Sequence, residues 1–354
     1  MKKIDGHAHI VDTIAGFNGK GRLNALGNGY AIWDDGDLIK LIPDEYGDKA
    51  FTAEAFLKYM DANGVDKAVI LQGHLNGYQN YYTHLAIKRY PERFTGAFSV
   101  DPFADNAMQI VKRHVEVLGF RAIKFEISQG GGIHGYRGQK TPFRLDTDPH
   151  VSRILTYLLD YPGFVVTVDY GNWDQISHQP DAIANLARLY TSLDFVVCHL
   201  SFPHVEHSNR LRAELNMWKN FNNIYTDISA IQDIDAPDSF PFPKSEQNVR
   251  IAKEVLGAKR IIWGTDSPWS ATFNTYEELA TWLENVDIFS QEELEDVMYN
   301  NAERVYFKEE HVKANRAGID DVMYNNAERV YFKEEHVKAN RAGIDDTTKE
   351  LNLY

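Results

Sequence analysis

The feature that most narrows the fold of this chain is an alternation sustained from residue 2 to residue 266. Short apolar, β-branched runs recur at 2–10 (KKIDGHAHI), 67–72 (KAVILQ), 94–100 (FTGAFSV), 120–127 (FRAIKFEI), 164–170 (FVVTVDY), 194–200 (DFVVCHL), 223–229 (NIYTDIS) and 260–266 (RIIWGTD). Between most of them lie stretches with helical spacing. In TAEAFLKYMDANG, Thr52 can cap and Gly64 can terminate; PDAIANLARLY and QNVRIAKEVLG also stop at or near turn residues. Strands separated by helices spell an all-parallel α/β sheet. Eight such units over roughly 250 residues match the size of a (β/α)8 TIM barrel, with an open doubly wound sheet as the alternative. The expected fold is that barrel, with long loops after strands 1 and 4 and a C-terminal helical appendage.

Residues 11–51, rich in Gly and aromatics, and 128–150 interrupt the pattern. Loops this long usually carry function, and both follow strand ends where barrel sites are built, so they read as parts of a lid. Near the C-terminus, DVMYNNAERVYFKEEHVKANRAGID occurs at 296–320 and again, unchanged, at 321–345. Two copies in different surroundings would diverge, so identity over this length reflects duplication rather than packing. The division expected is a barrel over 1–310 and a helical extension over 311–354 that holds the second copy. One copy closes the barrel, and the spare packs peripherally or mediates self-association into a homo-oligomer.

The formal net charge is −14, from 51 acids against 37 bases, which argues against nucleic acid or an anionic membrane as partner and favours a small molecule. The lone Cys198 permits no internal disulfide and no cysteine-based zinc site. With no apolar segment of spanning length and no leader-like start, the expected compartment is the cytoplasm.

Barrel sites gather at the C-terminal ends of the strands, so the polar residues closing each run are the candidates. They are His7 and His9, Gln72 and His74, Asp101, Lys124 and Glu126, Asp169, His199, Asp227 and Asp266. A charge at the end of a buried strand is costly unless paired or metal-bound. His7 and His9, two apart on an extended strand, share a face about 7 Å apart, a spacing suited to chelation.

The set IDGHAHI, GFRAIKFE, FVVCHL, NIYTDIS, RIIWGTDSPW and NNAERVYF, in that order, resembles the amidohydrolase superfamily, in particular its amidohydrolase-related branch. That branch includes aminocarboxymuconate-semialdehyde decarboxylase, resorcylate-type decarboxylases and lactonases. The resemblance implies that His7 and His9 are the strand-1 metal pair, that His199 stands near the substrate, and that Asp266 binds metal and handles protons. Lys124 falls in the strand-4 motif, where a carboxylated lysine bridges two metals in some relatives. One departure stands out: strand 5 ends in VVTVDYG, with Asp169 where the family usually has histidine. A carboxylate can also ligate, so His7, His9, Asp169 and Asp266 form a set suited to Zn²⁺ or the harder Mn²⁺. Some lactonases of the branch work without metal, and the histidines would then polarise the substrate.

The chemistry implied is metal-dependent hydrolysis of a lactone or amide bearing a carboxylate or hydroxyl. Asp266 moves the proton and His199 steadies the oxyanion. Non-oxidative decarboxylation of an aromatic or enoic acid at the same site is the alternative, and ligand binding without turnover a third. His74, Lys124, Glu126 and Trp269 are the expected substrate contacts, and Phe17, Tyr30 and Trp33 could stack on a ring.

Overall fold

A computed structural model describes residues 1–137 and 143–317. Among these residues, eight parallel strands form where the apolar runs stand: β1 (Ile4–Ala8), β2 (Lys67–Ile70), β3 (Phe94–Gly96), β4 (Ala122–Glu126), β5 (Val165–Asp169), β6 (Asp194–Val197), β7 (Ile224–Asp227) and β8 (Ile261–Ile262). They pair as a sheet of three, β1-β2-β3, and a sheet of five, β8-β7-β6-β5-β4. Single parallel bridges stitch the two seams, Ala8 to Ser267 and Phe98 to Ile123. The first seam is reinforced by backbone bonds from Gly6 to Trp263 (2.9 Å), from Asp266 to His7 (2.8 Å) and from His9 to Ser267 (2.8 Å). The fold is the α/β TIM barrel that the alternation predicts.

These strands are β-branched because both faces are covered, the inner by the barrel interior and the outer by helices. One interior layer is apolar, with Ile4, Val69, Ala122, Val165, Val196 and Ile262 in contact. The helices Asn301–Tyr306 and Glu309–Ala317 lie at the N-terminal end. Val305, Tyr306 and Phe307 join that layer, and Tyr306 Oη meets Thr167 Oγ1 at 2.8 Å. The second of these helices crosses residue 310; its His311 and Asn315 are buried, and Asn315 donates to Thr95 Oγ1 at 3.0 Å. The closing structure is thus built from the first repeat copy, while the second, 321–345, lies outside the described residues.

The excursion after β1 is more ordered than the irregular loop expected from its composition. Phe17–Asn18, Gly21–Gly27, Tyr30–Trp33 and Leu38–Lys40 form an antiparallel meander. Gly27, Asn28 and Gly29 turn its central hairpin with φ of 117°, 50° and 72°. A Cβ on Gly29 would lie 1.8 Å from the Ile42 carbonyl oxygen, so glycine is required there. Alternate residues Leu23, Ala31 and Trp33 are buried against the barrel, while Phe17 and Leu38 stay exposed. No helix among the described residues is long and apolar enough to cross a membrane.

Candidate active site

At the C-terminal mouth the polar strand ends converge. His7 is fully buried, with Nδ1 3.0 Å from Asp227 Oδ2 and Nε2 3.4 Å from Asp266 Oδ1. Burial, with the nearby Lys124 cation, outweighs the two carboxylates and pushes its pKa down to about 4. A carboxylate only accepts, so the neutral ring carries its proton on Nδ1 and turns the Nε2 lone pair inward. His9 places Nε2 3.0 Å from the same Asp266 oxygen and Nδ1 2.9 Å from the Leu71 carbonyl. Asp266 adopts φ +57°, and its backbone N–H to His7 O ties β8 to β1. Although burial works to raise it, the His9 hydrogen bond and the neighbouring imidazoles, the His199 cation among them, hold its carboxyl well below the usual range.

Among the described residues, two sets of three donors lie within 4.8 Å of one another: His7, His9 and Asp266, and His7, Cys198 and His199. The first set fits a divalent cation. Two imidazoles face one carboxylate oxygen, and each ring's far nitrogen is tied to an acceptor that fixes its orientation, as metal-binding histidines require. Asp169 is in neither set. Its Oδ1 accepts from the Gly171 N–H at 3.0 Å, and its Oδ2 lies 3.6 Å from His199 Nε2.

His199 opens a run of four non-glycine residues in the left-handed region, His199, Leu200, Ser201 and Phe202, with φ from 48° to 60°. Each such residue costs roughly 1–2 kcal/mol, so the run needs fastening. Asp227 supplies part of it. One of its oxygens accepts from the backbone N–H groups of His199 (3.0 Å) and Ser229 (3.1 Å), and the other takes His7. The His199 ring sets Nδ1 3.0 Å from the Ser229 carbonyl. Burial alone would lower its pKa, but Asp169, Asp266 and Asp227 surround it and raise it to about 10, so it is a cation at neutral pH.

Part of this cluster floors a cavity of about 560 Å³. His9, Lys124, Glu126, Asp169, His199 and Asp266 line its base; Asn18, Lys20, Trp33 and Ile39 of the meander overhang it, and Gly130 and Gly131 come from the second long loop. Trp269, Phe202 and Phe273 add aromatic wall. Lys124 Nζ sits 3.4 Å from His7 Nε2 and, despite burial, is kept charged by the carboxylates around it. Burial pushes Glu126 up to about 7.

Not every predicted residue arrives. His74 does not line the cavity; it is buried, with Nε2 2.7 Å from the Tyr78 hydroxyl, and burial lowers its pKa to about 4. Gln72 bonds the Gln79 backbone, and Asp101 caps the Phe103 N–H. Phe17 and Tyr30 lie on the outward side of the meander, away from the cavity lining. Cys198 is buried, which pushes its thiol well up. The role of one residue, and another residue altogether, escape sequence reasoning. Asp227 stands among the strand ends, but nothing in the sequence shows that it joins His7 to His199. Asp233 lines the cavity from the short helix Ile231–Ile234, accepts from Ser270 Oγ and Asn274 Nδ2, and is raised by burial to about 7.

The family profile described as Amidohydrolase matches residues 4–308. No curated protein matches the chain. Among solved structures, a probable 2-pyrone-4,6-dicarboxylic acid hydrolase from Acinetobacter baumannii, with citric acid bound, is 18% identical with a TM-score of 0.60, covering 86% of this chain and 99% of its own. An amidohydrolase from Burkholderia multivorans with bound zinc is 15% identical with a TM-score of 0.60, covering 87% and 99%. A 2,6-dihydroxybenzoate decarboxylase from Rhizobium is 16% identical with a TM-score of 0.52, covering 72% and 88%. Identities this low speak for the shared barrel alone.

Proposed function

The chain belongs to the amidohydrolase family, and we propose that it hydrolyses a carbonyl centre, a lactone or amide, in a small substrate bearing a carboxylate or hydroxyl. One observation carries the reading: His9 and Asp266 line the base of a cavity that also holds the His199 cation, and His7 Nε2, buried directly behind them, lies 3.4 Å from the same Asp266 Oδ1 that His9 Nε2 meets. The three would hold Zn²⁺ or Mn²⁺. When bound, such a cation supplies Lewis acidity and lowers the pKa of a coordinated water from ~15.7 toward ~7.

The chain's own groups divide the remaining work. Asp266, ionised and lining the cavity, accepts the proton of the attacking water and returns it to the leaving oxygen or nitrogen. His199 presents a fixed positive charge to the carbonyl oxygen as it becomes an oxyanion, and needs no reorganisation because Asp227 and Ser229 already hold it. Lys124 is the cation for a substrate carboxylate. Trp33 and the meander cover the cavity and reduce its contact with water.

Decarboxylation of a planar aromatic acid is the second reading, favoured by the aromatic walls Trp33, Trp269, Phe202 and Phe273. A panel of lactones, including dihydrocoumarin, and hydroxybenzoates, including 2,6-dihydroxybenzoate, separates the two. Chelator-sensitive acid release from a lactone without CO₂ supports the hydrolase, whereas CO₂ from a hydroxybenzoate with no lactone turnover replaces it with the lyase.

A further inference from the structure

We propose that Glu214 is a positioning residue that sets the His199 imidazole against Asp169 by clamping the left-handed segment after β6. Glu214 projects from the helix Ser208–Trp218 and is buried. It does not line the cavity, and no step of the hydrolysis uses it. Its carboxylate nevertheless gathers three donors. Ser201 Oγ donates to Oε2 at 2.6 Å, while Arg210 Nη1 at 2.7 Å and His178 Nε2 at 2.9 Å reach Oε1.

Each donor leads to one of two strand ends. Ser201 lies two residues beyond His199 within the positive-φ run, and Arg210 also donates to the Phe202 carbonyl at 2.8 Å. The segment is therefore gripped at two successive residues. On the other side, the Tyr170 hydroxyl donates to Ser201 Oγ at 2.7 Å, and Tyr170 directly follows Asp169. His178 packs edge-on to Tyr170 with centroids 4.8 Å apart, and its Nδ1 lies 3.3 Å from the Gly171 carbonyl. The Gly171 N–H in turn holds Asp169 Oδ1. One carboxylate thus links the ends of β5 and β6, whose side chains Asp169 and His199 stand 3.6 Å apart. A strained segment persists only where its surroundings over-determine it, and here Glu214 is the shared node.

Glutamine at 214 keeps the shape but puts an amide N–H₂ against one of these donors, so the clamp loses a partner on one side. Ser201→Ala removes the hydroxyl that joins the His199 segment to Glu214 and to Tyr170, and leaves Arg210 and His178 held. The test uses the full chain and two readouts. The first is the imidazole ¹H–¹⁵N spectrum, with the His199 signals assigned by their loss in His199→Asn. The second is kcat and KM on dihydrocoumarin, which rests on the hydrolase reading above; the spectra do not. Both variants should shift the His199 signals and lower kcat by about tenfold with KM within about twofold, and the double variant should be no worse than Glu214→Gln alone. Unshifted His199 signals in Ser201→Ala, or losses that add in the double variant, overturn the clamp. Should Glu214→Gln not fold, Ser201→Ala decides by itself. If dihydrocoumarin is not turned over, the hydrolase reading fails on that substrate, and the spectra still decide for or against Glu214.

Discussion

Two histidine–aspartate pairs face each other across the mouth of this barrel, built from the same residue types and opposite in electrical character. At the β8–β1 seam, His7 is neutral, its pKa pushed down to about 4 by burial and the Lys124 cation. Across the β5–β6 ends, His199 is equally enclosed, yet three carboxylates raise its pKa to about 10. The rings stand 4.7 Å apart, centroid to centroid. A neutral imidazole can give its lone pair to a metal; an imidazolium cannot, but it can stabilise an oxyanion. Neighbouring charge, rather than residue type or depth of burial, therefore separates the ligand from the electrostatic catalyst.

The contrast can be broken most directly at Asp266, which faces both regions. Asp266→Asn keeps the shape without a basic oxygen at neutral pH, and turnover should fall by about 10²- to 10⁴-fold with the fold intact; near-normal activity, with an unchanged circular dichroism spectrum, would end its proton-transfer role. His199→Asn should cost about 10²- to 10³-fold in kcat while leaving metal content as in the wild type. The double variant His7→Ala, His9→Ala should do the reverse, taking bound Zn²⁺ or Mn²⁺ from about one equivalent to none, as read by elemental analysis. Metal lost in the first variant and kept in the second would exchange the two assignments.

Smaller in effect, but closest to the comparison, is pH. A group whose folded pKa lies above its unfolded value stabilises the fold below the unfolded pKa and loses that contribution as pH rises through the folded one. For His199 the stabilisation is full below 6.5 and fades toward about 10, so the melting temperature of the wild type should fall by a few degrees relative to His199→Asn between pH 7 and 10. Parallel slopes would show that His199 is not held as a cation. The least change is expected from removing 321–345, because the helices that close the barrel come from the first copy; activity should hold and the melting temperature stay within about 5 °C.

Much of this is legible in the chain. Parallel strands buried on both faces are written as continuous β-branched runs, and the rule that barrel chemistry gathers at strand ends brings His9, Lys124, Glu126, Asp169, His199 and Asp266 to one cavity, with His7 buried behind it. The rule fails for His74 because β2 stops at Ile70 and the chain leaves the sheet before reaching it. It overlooks Asp233 because that residue sits on a helix past the end of β7. The meander over the cavity is masked in the sequence by its glycines and aromatics, which read as loop until paired.

The barrel and the mouth at which its polar residues meet follow from periodicity along the chain, and the family from the resemblance of motifs in their order. Which histidine is neutral and which is charged, the bracing of both by Asp227, and the place of Asp169 beside His199, apart from the His7, His9 and Asp266 set, emerge once the barrel has closed. Those outcomes depend on distances between residues up to 259 positions apart, such as His7 and Asp266 at 3.4 Å, and on the desolvation that closing the barrel imposes.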